Sequence, residues 1–124
     1  MQELINRVAT AAGIDATTAE QAVGMILAFL QKEGPTEQVD KLLAAIPGAA
    51  ELAAAHAGGG GGGLLGMFGG GGLMGLAGQL SGLGLGMGEM QSVGREVFNV
   101  GREQAGEDTV GDIAGSIPGL GQFT

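Results

Sequence analysis

The chain lacks cysteine, tryptophan and tyrosine, and it has five Lys or Arg residues against 13 Asp or Glu residues in a length of 124. Without cysteine, disulfides, thiol catalysis and cysteine-ligated metal centres are excluded. A net charge of −8 provides no basic surface for a phosphate backbone, which argues against nucleic acid as a partner. The length fits one domain or two very small ones.

Glycine, by contrast, is abundant and unevenly distributed, because 17 of the 28 glycines fall within residues 58–88. The composition changes at residues 57 and 88, and together with the internal similarity described below it gives a first unit (1–57), a glycine-rich linker (58–72) and a second unit (73–124). Glycine loses more conformational entropy on ordering than any other residue, so we expect the linker to be flexible. A unit of about 50 residues buries little surface alone. We therefore expect the units to pack on each other or on a second chain.

Apolar residues at helical spacing predict a first helix over about residues 2–12. These residues are Leu4, Ile5 and Val8. Glu3 and Arg7 are one turn apart, and this spacing places them together on the outer face of the helix. Gly13 is predicted to end it.

Two further helices are predicted in the first unit. Asp15, Thr17 and Thr18 offer side-chain oxygens to cap the second helix, and Glu20, three residues after Thr17, has the spacing of a capping box. Gly34 before Pro35 is a C-cap glycine at the end of that helix. The apolar stripe of the second helix consists of Ala22, Val23, Ile26, Phe29 and Leu30. The buried face of the third consists of Val39, Leu42, Leu43 and Ile46, before a break at Pro47-Gly48.

The second unit resembles the first when the sequence is shifted by 71 residues. Ile46-Pro47-Gly48 then aligns with Ile117-Pro118-Gly119, and the apolar stripes coincide. In the second unit the matching positions are Val93, Val97, Val100, Val110 and Ile113, preceded by a candidate first helix with Leu73, Leu76, Leu80 and Leu83. Chance is the alternative, because Ala, Gly and Leu are common in this chain. The shared register favours duplication, so the predicted fold is all-α, with two helical-hairpin repeats joined by a flexible glycine-rich connector.

Glycines interrupt the helices of the second unit, at Gly94, Gly101, Gly106, Gly111 and Gly115. Either these helices approach another backbone closely, which glycine permits, or the second unit is only marginally ordered. A separate series, Gly78, Gly82 and Gly86, lies at i+4 spacing. That spacing permits close helix contact, although it also arises by chance in a tract so rich in glycine.

Residues 13–52 and 79–120, each with its Ile-Pro-Gly triplet and separated by a Gly/Leu tract, resemble the uncharacterised bacterial family of Vcg-type proteins. The resemblance implies a helical hairpin closing on an Ile/Val-Pro-Gly turn, a variable Gly/Ala-rich connector and a related second hairpin. The chain departs from the usual second hairpin in its charged, glycine-interrupted helix from Arg95 to Glu103. The family has no established activity, so the resemblance assigns no functional residue.

No catalytic, cofactor-binding or metal-binding residue is predicted. His56 follows an Ala-rich helical stretch, where a helix C-terminus favours it electrostatically, and Glu51 is the only acid near it in sequence. Four acids could be imagined as a divalent-metal site: Glu103, Glu107, Asp108 and Asp112. Their spacing matches neither an EF-hand loop nor a di-iron bundle. The run Gly82–Gly86 lacks the Lys-Ser/Thr of a phosphate loop.

The predicted partner contact is a short apolar segment inside the glycine-rich tract, formed by Leu64, Leu65, Met67 and Phe68. We therefore expect a non-enzymatic helical interaction module that binds a protein partner or self-associates. The alternative is a membrane-surface or membrane-inserting protein that uses the uncharged segment 64–87, although its many glycines and lack of flanking cations or interfacial aromatics argue against it. The amino terminus shows no signal peptide, so we expect a cytoplasmic location.

Overall fold

The computed structural model describes residues 2–57 and 72–117, and within these ranges the secondary structure is entirely helical. The predicted all-α class is therefore confirmed for this part of the chain. The helices are α1 (Gln2–Ala12), α2 (Ala16–Glu33), α3 (Thr36–Ala45), α4 (Ala49–Ala57), α5 (Gly72–Gly82), α6 (Met87–Ala105) and α7 (Glu107–Ser116).

The first helix has the bounds that its apolar spacing predicts, and it ends in a turn at Gly13. That glycine has a φ of +69°, a conformation that L residues with a Cβ atom adopt only with strain. The N–H of Ile14 donates to the carbonyl of Ala9 at 3.0 Å, which satisfies one of the carbonyls left free at the helix end.

The predicted capping box at the start of α2 is wrong. Asp15 occupies the N-cap position, and its side chain makes no capping hydrogen bond. Because α2 begins at Ala16, Thr17 is already inside the first turn, and Glu20 is two residues too far along the helix to complete the box. A carboxylate cap occurs instead in the second unit, where Glu89 Oε1 accepts the N–H of Gly86 at 2.8 Å.

Gly34 ends α2 as predicted, but for a different physical reason from the one a C-cap glycine suggests. Its φ of −87° and ψ of 172° are accessible to any residue. What Gly34 provides is space, because a Cβ atom there would lie 2.7 Å from the carbonyl oxygen of Leu30 and 2.8 Å from Cγ2 of Val39.

The core is formed by helices from both ranges of the chain. The long helices α2 and α6 contact each other, α1 packs on α6 and on α2, and α5 packs on α2. At one end of the core α3 contacts α7 and α6, while α4 packs on α2. The apolar stripes predicted for α2 and α3 are buried, as are Val93, Val97, Val100, Val110 and Ile113. The helices before and after residues 58–71 thus share one core.

The glycines of the second unit have different roles. Gly101 is buried in α6, where a Cβ atom would lie 2.8 Å from Leu42 Cδ1 and 3.0 Å from Val110 Cγ2. The close approach is therefore to side chains of α3 and α7 rather than to another backbone. Gly111 and Gly115 face open space, so packing does not explain them. Gly78 and Gly82 are likewise open, and they do not make the close helix contact that their spacing permits.

Candidate interaction surface

The apolar segment predicted to contact a partner, Leu64, Leu65, Met67 and Phe68, lies outside the described residues. The side chain of His56 also lies outside them, although the backbone of that residue belongs to α4. The geometry that bears on function is consequently that of the polar contacts and surfaces on the described helices.

The most extensive polar contact in the described part of the chain joins α1 to α6 through Arg7. Its Nη1 donates to both carboxylate oxygens of Glu103, at 3.1 and 3.2 Å, and its Nη2 lies 3.7 Å from Oε2 of Glu96. Glu96 and Glu103 are two turns apart on one face of α6, so a single guanidinium on α1 spans both. Arg7 is thus partly exposed and close enough to Glu3 for that charge to act on it, as the spacing predicts, but its hydrogen bonds go to α6.

This contact continues along α6 as a short chain of hydrogen bonds. Asn99 Nδ2 donates to Glu96 Oε2 at 3.4 Å, and Arg102 Nη1 donates to Asn99 Oδ1 at 3.1 Å. Together with Arg7, these side chains form what we call the α1–α6 polar cluster: Arg7, Glu96, Asn99, Arg102 and Glu103. Within it, Glu96 and Glu103 contact α1 through Arg7, whereas Asn99 and Arg102 bond to other residues of α6.

The carboxylates of the cluster stabilise the protonated form of Arg7. The hydrogen bond to Glu103 raises the pKa of Arg7 above its ordinary value, partly opposed by desolvation and reinforced by the charges of Glu103, Glu96 and Glu3. Arg7 therefore stays protonated throughout the physiological range. The side chains of Arg7 and Glu103 are 39% and 55% exposed, so water and salt screen the attraction.

A second polar contact joins α3 to α7. Gln38 Nε2 donates to Asp112 Oδ2 at 2.9 Å. The other end of the same amide is less well placed, since Gln38 Oε1 is buried and has no hydrogen-bond partner within the described residues. A buried acceptor without a partner costs free energy, so this contact stabilises the helix pair less than its donor distance suggests.

The four acids considered as a metal site differ in their contacts. Glu103 is held by Arg7 and Asp112 by Gln38, while Glu107 and Asp108 are exposed in the first turn of α7. Throughout the described ranges, no group of three His, Asp or Glu side chains is arranged to hold a metal ion.

Among the described residues one large apolar side chain is exposed, that of Met87, which is 68% exposed at the start of α6. A single exposed methionine is ordinary for a folded protein. None of the helices in residues 2–57 and 72–117 has the length and hydropathy needed to cross a bilayer.

No family model matches this chain, and comparisons with curated proteins and with solved structures also gave no match.

Sequence reasoning missed the α1–α6 polar cluster. Arg7 and Glu103 are 96 residues apart, and the 71-residue shift aligns Arg7 with Gly78, so neither local spacing nor internal similarity indicates the pair. Gln38 and Asp112 were missed for the same reason. The sequence carried one signal. The apolar stripe of α1 must be buried against another helix, so the side chains beside the stripe lie at the edge of an interface.

Proposed function

We propose that this chain is a non-enzymatic helical interaction module, built from two related helical units, that associates with a further copy of itself through Leu64, Leu65, Met67 and Phe68. In this proposal the units are residues 1–57 and 73–124, and residues 58–72 connect them. The Vcg-type resemblance belongs to the same proposal and assigns no activity.

The agreement of helix bounds supports the duplication. Shifted by 71 residues, α2 would span 87–104, and α6 spans 87–105; α3 would span 107–116, which are the bounds of α7. The residues that follow α3 and α7 also share a backbone conformation. Ile46 has φ −104° and ψ 110°, and Ile117 has φ −110° and ψ 115°. Matching helix ends are a second line of support, separate from the alignment of apolar residues.

The reciprocal packing of the units carries the proposal of an interaction module. The first helix of the first unit, α1, packs on the long helix of the second, α6, while α5 packs on α2. Each unit therefore buries its apolar stripe partly on the other. In this proposal the core forms by association of two related helical units. Two polar contacts also join helices from different units, since Arg7 links α1 to α6 and Gln38 links α3 to α7.

The sequence supports the apolar segment as the site of contact with a second copy. Residues 57–88 contain no charged side chain, and the largest aromatic group in that stretch, Phe68, lies beside Leu64, Leu65 and Met67. Apolar side chains without charges nearby associate through burial, at about 25 cal/mol per Å² removed from water. The described helices, by contrast, present one large exposed apolar side chain, Met87.

Sedimentation velocity at micromolar concentration tests the proposal. The variant has Ser in place of Leu64, Leu65, Met67 and Phe68, and we expect it to be monomeric at concentrations where the parent chain associates. Met87→Ser is the matched control, because it removes an apolar side chain from the described surface but leaves the apolar segment intact. It should associate like the parent.

Three results would contradict the proposal. If the parent and the Ser variant sediment identically, the apolar segment does not mediate association. If Met87→Ser abolishes association, the contact lies at the start of α6 instead. Flotation of the parent with liposomes, lost in the Ser variant, would assign the segment to a membrane surface rather than to a second copy.

A further inference from the structure

We propose that α1 is an exchangeable arm, and that two copies of this chain form a dimer in which the α1 helix of each packs on the α6 helix of the other. The inference rests on the proposed duplication, and it names a second, separate mode by which the partner, another copy of this chain, is bound.

The first observation is that, within one chain, α1 and α5 each pack on the long helix of the other unit. The α1 helix precedes α2 in sequence but packs chiefly on α6, and α5 precedes α6 in sequence but packs on α2. If the units are copies, the first helix of each packs on the long helix of the other copy, and α1 also keeps contact with α2 of its own unit. An α6 helix presented by a second chain offers α1 the same surface.

The second observation is that the contacts α1 makes with α6 and α2 can re-form with the same helices of a second copy; the hydrogen bond from the Ile14 N–H to the Ala9 carbonyl, which closes the turn at Gly13, is not among them. The buried face of α1 consists of Leu4, Ile5 and Val8, and Arg7 contacts Glu96 and Glu103 of α6. In a two-fold dimer these contacts form twice between chains, residue for residue, because such an interface is self-complementary. The free-energy difference between monomer and dimer is then set by the hinge and by the entropy of association.

The third observation is the hinge itself, residues 13–15 between α1 and α2. The closed turn depends on the positive φ of Gly13, +69°, and a Cβ atom at this position would meet no heavy atom within 4 Å. A side chain there would therefore strain the closed turn without any steric clash. Asp15 makes no side-chain cap at the start of α2, so the hydrogen bond that opening breaks in this turn is the one from the Ile14 N–H to the Ala9 carbonyl, 3.0 Å long.

Charge complementation between two variants distinguishes an exchanged dimer from a monomer. In Arg7→Glu the arm is repelled by Glu96 and Glu103 of its own chain, and in the double variant E96K/E103K Arg7 is repelled by two lysines. When the two variants are mixed, exchange places the α1 helix of Arg7→Glu on the two lysines of the second variant. The α1 helix of the second variant, which keeps Arg7, then lies on Glu96 and Glu103 of the first. Both variants carry the four Ser substitutions at Leu64, Leu65, Met67 and Phe68, so that any dimer forms without the apolar segment.

We expect native mass spectrometry of the refolded mixture to show a dimer with one copy of each variant, at about tenfold or more above the dimer level of either variant alone. Arg7→Gln mixed with E96K/E103K is the control and should give a weaker effect, because it restores only one of the two attractions. Circular dichroism of each variant checks that its helices are retained.

A mixture that stays monomeric overturns the exchange. Such a result leaves the proposed association through the apolar segment intact, since the parent chain tests that separately. If either charge variant loses its helical signal, Gly13→Ala with the native charges at positions 7, 96 and 103 decides the matter. The strain of a positive φ, released in both chains, should raise the dimer association constant by roughly 30-fold or more, and an unchanged constant would count against the arm.

Discussion

The Cδ1 atom of Leu42 lies 2.8 Å from the point that a Cβ atom on Gly101 would occupy. Leu42 belongs to α3 and Gly101 to α6, and both are buried. Val110 of α7 closes the same space from the other side, with its Cγ2 atom 3.0 Å from that point. Three helices therefore meet where α6 has no side chain, and the glycine is required for packing rather than for backbone conformation.

Gly101→Ala should destabilise the fold. Leu42 and Val110 are fully buried, so neither side chain can move aside without disturbing its neighbours, and overpacking of this kind costs about 1–3 kcal/mol. Alanine recovers roughly 0.5–1 kcal/mol through its higher helix propensity. We expect the free energy of unfolding in urea to fall by about 1 kcal/mol. An equal or higher stability would show that the three helices can separate slightly at no cost.

Gly111→Ala should have the opposite effect and serves as the matched comparison. Gly111 lies in the interior of α7, and a Cβ atom there would meet no heavy atom within 4 Å. The substitution changes helix propensity and little else, so the expected gain in the free energy of unfolding is about 0.5–1 kcal/mol. Thermal unfolding followed by circular dichroism measures the difference, and a lower midpoint would place an unrecognised contact on this face.

The sequence was informative about helices and their buried faces because both depend on local spacing. Leu4, Ile5 and Val8 are all buried at the face that their spacing predicts. Glycine was harder to interpret, since Gly34 and Gly101 provide space while Gly13 and Gly106 have a positive φ. Composition alone does not separate these roles, because each depends on which atoms of other helices lie nearby.

The polar contacts could not be predicted from the sequence at all. A charged residue on the edge of an apolar stripe is attracted to whichever opposite charge the fold brings within a few ångströms. For Arg7 that charge is on Glu103, although Glu3 is the acid at helical spacing in its own helix. Burial patterns follow from local periodicity, whereas these pairings require the relative positions of helices far apart in sequence.

Gln38→Met should leave stability unchanged or raise it by up to about 1 kcal/mol. The substitution removes the buried, unpartnered Oε1 atom, and Asp112, which is exposed, regains water in place of the lost hydrogen bond. Gln38→Glu is the contrasting variant, since it puts a second carboxylate against Asp112 and should cost about 1 kcal/mol at neutral pH. Urea unfolding of the two variants side by side measures both effects. A clear loss of stability in Gln38→Met would mean that the amide is better satisfied than its contacts indicate.

Arg7→Gln should lower the free energy of unfolding by about 0.5–1 kcal/mol, the range for partly exposed ion pairs. The difference should shrink in 1 M salt, where the Debye length is roughly 3 Å. Because Glu103 raises the pKa of Arg7, the contribution of this charge is fully present below the pKa of arginine in the unfolded chain and is lost only as the pH rises through the higher folded-state value. The stability difference between the parent and Arg7→Gln should therefore stay constant from pH 7 to about 10, well below the ordinary arginine pKa. A difference that declines within this window, or that persists undiminished in high salt, would show that Arg7 acts through the packing of its methylene groups and not through its charge.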